Sequence, residues 1–306
     1  MVIFYIFFLL SLYTLVLSSP KNFPHYSTVR IETGSGLSQT ALLLQKKQIV
    51  RSPFWFKSFA VLLNGSRSVR AGDYYFNEKE GAFRVARRII QGQYGLVPLR
   101  VTIPEGFSIF QMAPIFKEKF TFFDEKRFLQ NSPEGFLFPD TYFFLPNVTA
   151  EDIALRMKRN FDERTESIRK ETASSSISFS DLIILASILE KEAVEEKDKR
   201  LIAGVIYNRL TIGMPLQVDA TFSYVNGKNT YTLTRADLRE DSPYNTYLYK
   251  GLPPTPIANP GIKSIEAALR PAETKYLYFL SDLSGKMYYA KDFEGHQINR
   301  EKYLRR

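Results

Sequence analysis

One carboxylate in the chain stands at an abrupt change from apolar to charged sequence. Glu190 follows the almost unbroken apolar stretch Leu182 to Leu189 and precedes a run rich in lysine and glutamate. Removal from water disfavours the charged form of a carboxyl group, and a carboxyl group that keeps a proton near neutral pH can protonate a glycosidic oxygen. The alternative interpretation is a solvated helix end in which Glu190, Glu192 and nearby lysines form ion pairs.

The sequence lacks the residues that several other common catalytic mechanisms need. The 306-residue chain has no cysteine, which excludes disulfides, thiolate metal sites and thiol nucleophiles. Its two histidines, His25 and His296, do not have a zinc-binding spacing, and no G-x-S-x-G elbow accompanies them. We therefore predict no metal and no cofactor.

The net charge of +9 is compatible with nucleic acid, anionic lipid or an anionic polymer such as peptidoglycan. No zinc-finger, P-loop or RNP-type signature is present, and the basic residues are interspersed with acids. Nucleic acid is therefore not an expected partner.

The helices that would position Glu190 have recognisable starts. Thr149, with Asp152 three residues on, is close to a capping box and predicts a helix running through Phe161. The serines at 174–176 break that helix, and Ser178 or Ser180 caps a second one, whose apolar surface predicts burial and which ends near Glu190.

A weak internal repeat precedes these helices. The sequence from Val29 to Gly34 recurs about 72 positions later from Val101 to Gly106, and each copy later ends in an aromatic strand, at 72–76 and 139–144. Each copy is predicted to form a strand, a glycine turn, a helix or helix pair, and a second strand. Such βααβ modules bind carbohydrate in many cell-wall proteins, although the two units could instead simply pack on each other.

The N-terminal stretch Val2–Leu17 carries no charge and is almost wholly apolar. At about 16 to 18 residues it lies between a signal-peptide core and the roughly 20 residues that span a bilayer. No A-x-A-like cleavage site follows, and Pro20 stands where a signal peptidase would cut. We predict a retained anchor with the N-terminus inside, the alternatives being a cleaved signal or a buried core helix.

Several sequence motifs downstream of Glu190 occur in a fixed order. They are the stretches 204–210, 213–221, 242–247, 251–261, 267–271 and 276–280. With Ala186–Glu192, they resemble the endolytic murein transglycosylase (YceG-like) family, which carries A-S-I-[LV]-E-K-E, N-R-L-x-x-G-M-x-L-Q-x-D and G-L-P-P-x-P-I-x-N-P-G motifs. The resemblance runs from the membrane segment to the C-terminus.

That resemblance implies a single-pass protein of the cytoplasmic (inner) membrane, anchored through residues 2–18, with its catalytic domain on the periplasmic or extracytoplasmic side. The family cuts inside nascent peptidoglycan strands and could end glycan elongation beside cell-wall synthases. Its catalytic residue corresponds to Glu190, acting first as acid towards the leaving oxygen and then as base towards the muramic acid 6-hydroxyl. Closure of the 1,6-anhydro ring requires no second carboxylate, unlike most glycosidases.

Further residues are expected around Glu190. Gln217 and Asp219 on one side of a predicted strand, and Asn208 with Arg209 at a helix end, are candidates to bind sugar or orient Glu190. Asp219 could instead be a second catalytic carboxylate, which would favour hydrolysis, or these residues could form a turn network after Gly213.

One wall of a groove is expected from Tyr244, Asn245 and Thr246 together with the proline-rich loop 253–260 that contains Asn259. Glu134 begins a family string, E-G-x-L-F-P-D-T-Y, whose expected role is a packed turn joining the modules, and it is also a candidate groove residue. The strip from Met287 to His296 predicts a final strand and turn.

The predicted fold class is α+β, with an N-terminal membrane helix, two small LysM-like βααβ modules and a mixed α/β catalytic domain. The expected boundaries are 1–19 for the anchor, 20–100 for the first module, 101–147 for the second module leading into the catalytic domain, and 148–306 for the catalytic domain. Two other functions stay open: a hydrolase using Glu190 and Asp219, and a non-enzymatic glycan-binding scaffold.

Overall fold

A computed structural model of the protein describes residues 18–63, 69–120, 123–174, 177–228 and 232–304. Its contacts divide the chain into two compact units, the first reaching Pro98 and including Leu145–Asn147, the second comprising Leu99–Phe144 and Val148–Arg306. No helix within the described ranges is long and apolar enough to cross a membrane. The apolar stretch 2–17, on which the predicted anchor depends, lies outside them.

In its described residues, the first unit is an antiparallel strand pair covered by three helices. In chain order its elements are β1 (Ser27–Ile31), α1 (Leu37–Lys46), α2 (Pro53–Leu62), β2 (Gly72–Phe76) and α3 (Ala82–Gln91). Val29 of β1 lies opposite Tyr74 of β2, and both side chains are buried. β1 alternates burial from Val29 to Ile31 as a half-covered sheet requires, and the helices supply the rest of this core.

The second unit begins with the second copy of the repeat. Its elements are β3 (Leu99–Thr102), α4 (Ile109–Lys119), α5 (Glu125–Asn131) and β4 (Thr141–Phe144). β3 and β4 pair antiparallel, as β1 and β2 do. The strand, helix, helix, strand order predicted for both copies is therefore confirmed.

The remainder of the second unit is mainly helical. It contains α6 (Ala150–Thr172), α7 (Phe179–Glu192), α8 (Glu196–Thr211), α9 (Ala220–Asn226), α10 (Ile262–Leu269), β5 (Tyr278–Ser281), β6 (Met287–Ala290) and α11 (Phe293–Tyr303). Thr149 caps α6 with Asp152 as predicted, and Ser178 caps α7 by accepting from the Asp181 amide. Every residue of α7 from Leu182 to Leu189 is buried, so the expected burial of this helix is confirmed.

Two local predictions are wrong. Gln217 and Asp219 do not lie on a strand: Gln217 has a left-handed φ of +50°, and Asp219 directly precedes α9. The reason is that the amides of Gln217 and Val218 donate to the Thr246 carbonyl and hydroxyl rather than to a strand ladder. Beyond the confirmed strand β6, the chain forms helix α11 instead of a turn, because the Asp292 carboxylate accepts from the Gly295 amide and caps it.

Candidate active site

Glu190 lies in the last turn of α7, where the buried helix emerges from the core of the second unit. Its side chain is only 8% exposed. A carboxylate this far from water is destabilised unless other groups donate hydrogen bonds to it or carry the opposite charge. Its partners therefore decide what chemistry the position can perform.

Three donors converge on the Glu190 carboxylate. The ammonium group of Lys199, in the first turns of α8, is 2.9 Å from Oε1 and itself only 4% exposed. The buried Ser264 hydroxyl donates to Oε2 over 2.6 Å, and the Gly261 amide at the start of α10 donates to Oε2 over 2.9 Å. Since the ammonium also donates to the Ser264 hydroxyl over 2.7 Å, the four groups form one connected network.

All three partners of the Glu190 carboxyl group present hydrogens to it. The ammonium group of Lys199 also carries a positive charge, and the Gly261 amide stands at the N-terminus of α10, so both can stabilise a carboxylate that forms there during a reaction. The apolar helix predicted the partial burial of Glu190 but not its buried ion pair with Lys199. The site therefore combines two opposing influences, desolvation and a positive partner.

A second carboxyl group lies beside this network. Glu105 belongs to the turn after β3, and its carboxyl group rests against Gly261, where an added Cβ would lie 1.9 Å from Oε1. Gly106 follows with a φ of +77°, and a Cβ there would come 3.3 Å from Cγ of Glu190. Partial burial, and after it the charge of Glu190, raise the pKa of Glu105.

The loop that carries Gly261 is fixed at several points. Asn259 exchanges backbone hydrogen bonds with Gly106 and Phe107, and its buried side chain donates to the Phe107 carbonyl and accepts from the Leu137 amide. Upstream, the Ile257 amide donates to the hydroxyl of Ser187 on α7. Asn259 thus holds the Gly261 loop to the turn that carries Glu105.

Glu134 is buried behind this loop. Its carboxylate accepts from the Ile109 amide at the start of α4 and from the Asn259 side chain, the latter over 2.7 Å. Burial raises the pKa of Glu134 to about 7, although these donors oppose the shift. Glu134 therefore links the repeat copy to the Asn259 loop.

Asn208 and Arg209 lie near the end of α8, as expected. The Asn208 amide donates to the carbonyls of Thr274 and Tyr276, and Arg209 donates to those of Pro215, Leu216 and Leu277. These contacts hold the segments on either side of the helix end. In the described ranges, no hydrogen bond or ion pair joins either side chain to Glu190.

Asp219 belongs to a different acidic cluster. Asp219 accepts a hydrogen bond from the Tyr247 hydroxyl over 2.6 Å. Burial, and after it the negative charge of Asp219, raise the pKa of Glu192 to about 7. Nothing in the described part of the chain bonds Asp219 to the Glu190 carboxylate. Gln217 is exposed and donates its backbone amide to the Thr246 carbonyl.

The three residues expected to form a groove wall have different environments. Asn245 is buried and donates to the carbonyls of Leu238 and Glu240, while the buried Thr246 hydroxyl binds the backbone of Val218. Tyr244 is half-buried, with its ring 5.4 Å from that of Tyr224 and its hydroxyl 2.7 Å from that of Thr255.

Lys199, Ser264, Gly261 and Glu105 were missed by the sequence reasoning. For Glu105 a signal existed in the repeat, because the aligned residue of the first copy is Thr33, so that only the second copy carries a carboxyl group directly before its turn glycine. Gly261 is also an acceptable N-cap residue for the helix that carries Ser264. Lys199 is one of several lysines near Glu190, and no local pattern distinguishes it.

Fold and site together define a class of α+β proteins, in which a strand–helix–helix–strand repeat copy contributes to a helical unit whose central helix ends in a buried, ion-paired glutamate. The chain belongs to the YceG-like family, whose model matches residues 29–302.

Curated relatives and a solved structure are similar over most of this chain. An endolytic murein transglycosylase of Bacillus subtilis is 32% identical over 305 residues, which cover 90% of this chain and 84% of that protein. An endolytic murein transglycosylase of Streptococcus pneumoniae is 29% identical over 91% of this chain, which spans only 58% of that longer relative. The crystal structure of a YceG-like protein from Listeria monocytogenes matches with a TM-score of 0.61 and 32% identity, covering 90% of this chain and 99% of that one.

Proposed function

We propose that the protein is an endolytic peptidoglycan lytic transglycosylase with Glu190 as its acid and then its base. The observation that carries the proposal is the buried Glu190 carboxyl group with Lys199, Ser264 and Gly261 as donors. The relatives named endolytic murein transglycosylase support the reaction class, and their 29 to 32% identity extends over nine-tenths of this chain.

The proposed reaction uses one carboxyl group twice. Protonated Glu190 gives its proton to the glycosidic oxygen as the bond from that oxygen to C1 breaks. The carboxylate then takes the proton of the muramic acid 6-hydroxyl as O6 bonds to C1, which restores the acid and consumes no water. Lys199, Ser264 and the Gly261 amide stabilise the carboxylate between these steps, because their hydrogens already point at its oxygens.

The other candidate site residues fall into two proposed roles. Gln217, which is exposed, and Tyr244, which is half-buried, are the better candidates to contact sugar. The others have side chains committed to backbone or neighbouring groups, so we assign them to shaping the loops of the site. They are Asn208, Asp219, Asn245, Thr246, Asn259 and Glu134.

The setting of the enzyme is also a proposal. We propose that the apolar segment at residues 2–17 anchors the protein in the cytoplasmic membrane, that the two repeat copies are LysM-like modules, and that the second unit acts outside the cell on nascent glycan. Cleavage there would end glycan elongation and would bring the protein close to cell-wall synthases.

Mass spectrometry of the products tests the chemistry. We expect purified protein to release fragments ending in 1,6-anhydro-muramic acid, which are lighter by one water than hydrolysed ends. Glu190→Gln should lower the rate at least about 100-fold, the lower end of what general acid–base catalysis contributes. The matched control is Glu192→Gln, two residues along the same helix but bonded to the Ala220 amide. Undiminished release by a folded Glu190→Gln protein would contradict the role of Glu190.

Glu105 favours a second candidate function, hydrolysis. A second carboxyl group beside Glu190 is the arrangement that glycosidases use to activate water or form a covalent intermediate. In ¹⁸O-labelled water, a hydrolase would place the label on the new reducing end, and Glu105→Gln would abolish this product. A scaffold protein without catalytic activity would bind glycan and release no fragment with any of these variants.

A further inference from the structure

The first unit carries a row of aromatic side chains on α2 and α3, in which Phe54 and Phe83 are exposed and Trp55 and Phe59 are half-buried. The Phe54 and Trp55 rings are 5.2 Å apart, Trp55 stacks on Phe59 at 6.2 Å, and Phe59 meets Phe83 of α3 edge-on at 5.4 Å. Four rings therefore form a continuous row across two helices. We call this surface, with Val61 and Leu62, the aromatic ridge.

The ridge exposes more apolar surface than a solvated helix normally would. Phe54 is 64% exposed, Val61 53% and Leu62 73%, and positions 54, 58, 61 and 62 share one face of α2. A contiguous apolar patch of this kind marks a surface that contacts a partner or a membrane.

The charge of the chain is concentrated in the same unit. Between residues 18 and 98 there are twelve lysines and arginines against four acids, so this segment carries +8 of the total net charge of +9. Lys57 belongs to α2, and Arg87 lies one turn after Phe83 on an exposed position of α3. Basic side chains beside an apolar face are the composition of helices that bind anionic bilayer surfaces.

The chain also enters this unit next to the ridge. The Ser19 carbonyl accepts from the Arg51 guanidinium over 2.9 Å, and Arg51 precedes Phe54 by three residues. The apolar sequence 2–17 ends two residues before Ser19. The apolar segment that we propose as the membrane anchor is therefore followed by a residue that contacts the chain three positions before Phe54.

We propose that the aromatic ridge is a membrane-surface site, which lies in the headgroup region of an anionic lipid bilayer and holds the first unit flat against it. Lipid fits better than glycan, because Val61 and Leu62 offer aliphatic surface without a ring to stack on a sugar. This site would bind the membrane in addition to the proposed N-terminal anchor. The proposal does not depend on the catalytic role of Glu190.

The protein contains its own probe for this contact, since Trp55 is its only tryptophan. We would reconstitute the full chain in vesicles of phosphatidylglycerol and phosphatidylcholine and measure Trp55 fluorescence. Lipids brominated near the headgroup end of the acyl chain should quench more than half of it, and aqueous iodide should quench little. Vesicles of phosphatidylcholine alone, or high salt, should weaken the lipid quenching because they remove or screen the anionic surface.

Variants separate this contact from simple tethering. Phe54→Ser with Leu62→Ser should restore iodide access to Trp55 at least threefold, whereas the control Leu155→Ser, at an equally exposed leucine of α6 in the second unit, should not. Unchanged iodide access to Trp55 with and without vesicles would overturn the proposal. So would protection by soluble peptidoglycan fragments in place of lipid, or protection that disappears when the protein is diluted at constant lipid. Fragment release in detergent, measured on the same variants, should stay unchanged, so a failure here is distinguishable from a failure of the proposed function.

Discussion

Replacing Lys199 by methionine tests whether the buried ion pair between Lys199 and Glu190 stabilises the folded protein. The substitution keeps the length and apolar stem of the side chain but removes the cation from Oε1 of Glu190. With exposed fractions of 4% and 8% for the two side chains, water cannot replace the lost partner. Breaking a buried pair costs about 3 to 5 kcal/mol. Because Ser264 and Gly261 still donate to Oε2, we expect the lower end, about 3 kcal/mol.

The assay is urea unfolding followed by far-ultraviolet circular dichroism, because the only tryptophan belongs to the first unit and would not report on this site. Lys197→Met is the matched control, since Lys197 is an exposed residue of the same helix. It should change the free energy of unfolding by less than about 0.5 kcal/mol.

A double-mutant cycle decides whether the cost comes from the stranded charge. In the Lys199→Met background, Glu190→Gln removes the unpaired carboxylate and should recover stability, with a coupling energy of about 1 to 3 kcal/mol. Additive effects, or a Lys199→Met protein as stable as the Lys197→Met control, would refute a stabilising interaction between Lys199 and Glu190. Fragment release should also fall in Lys199→Met, because the carboxylate formed in the first step loses its main stabilising partner.

Three other predictions follow from single contacts. Burial raises the pKa of Glu134 to about 7, whereas it is about 4.3 in an unfolded chain. Between these two values the folded state keeps a proton that the unfolded state loses. The free energy of unfolding should therefore fall as the pH rises from about 4.3 to about 7. Glu134→Gln should reduce this fall by about 1 to 3 kcal/mol in urea titrations at pH 5 and 8, and an identical pH profile would count against it. Gly261→Ala should displace the flexible Glu105 carboxyl group and lower the free energy of unfolding by less than about 1 kcal/mol. Loss of activity in this stable variant and in Glu105→Gln would identify Glu105 as a participant in the reaction. Full activity in both variants would exclude it. Gly204→Ala should destabilise by about 1 to 3 kcal/mol despite better helix propensity, because the new Cβ would lie 2.3 Å from the rigid Ala272 carbonyl; a raised melting temperature would contradict this.

Features that depend on neighbours in the chain were predictable. The caps at Thr149 and Ser178, the burial of the apolar helix before Glu190, and the two strand, helix, helix, strand copies all follow from short-range periodicity and capping chemistry. The prediction of a strand at Gln217 was wrong, because the Gln217 amide donates to the Thr246 carbonyl. No sequence pattern around Gln217 indicates this long-range hydrogen bond.

That a carboxyl group stands at the end of a buried helix follows from the sequence alone, because it requires only the order of apolar and charged residues around Glu190. The groups that surround this carboxyl group depend on tertiary packing. Several lysines lie within ten residues, yet only packing of α8 and α10 against α7 brings Lys199, and Ser264 from 74 residues away, to its two oxygens. Likewise, Glu105 reaches the site because the Asn259 loop binds the turn after β3. Contacts between residues distant in the chain depend on how helices pack, and local propensity carries no information about that.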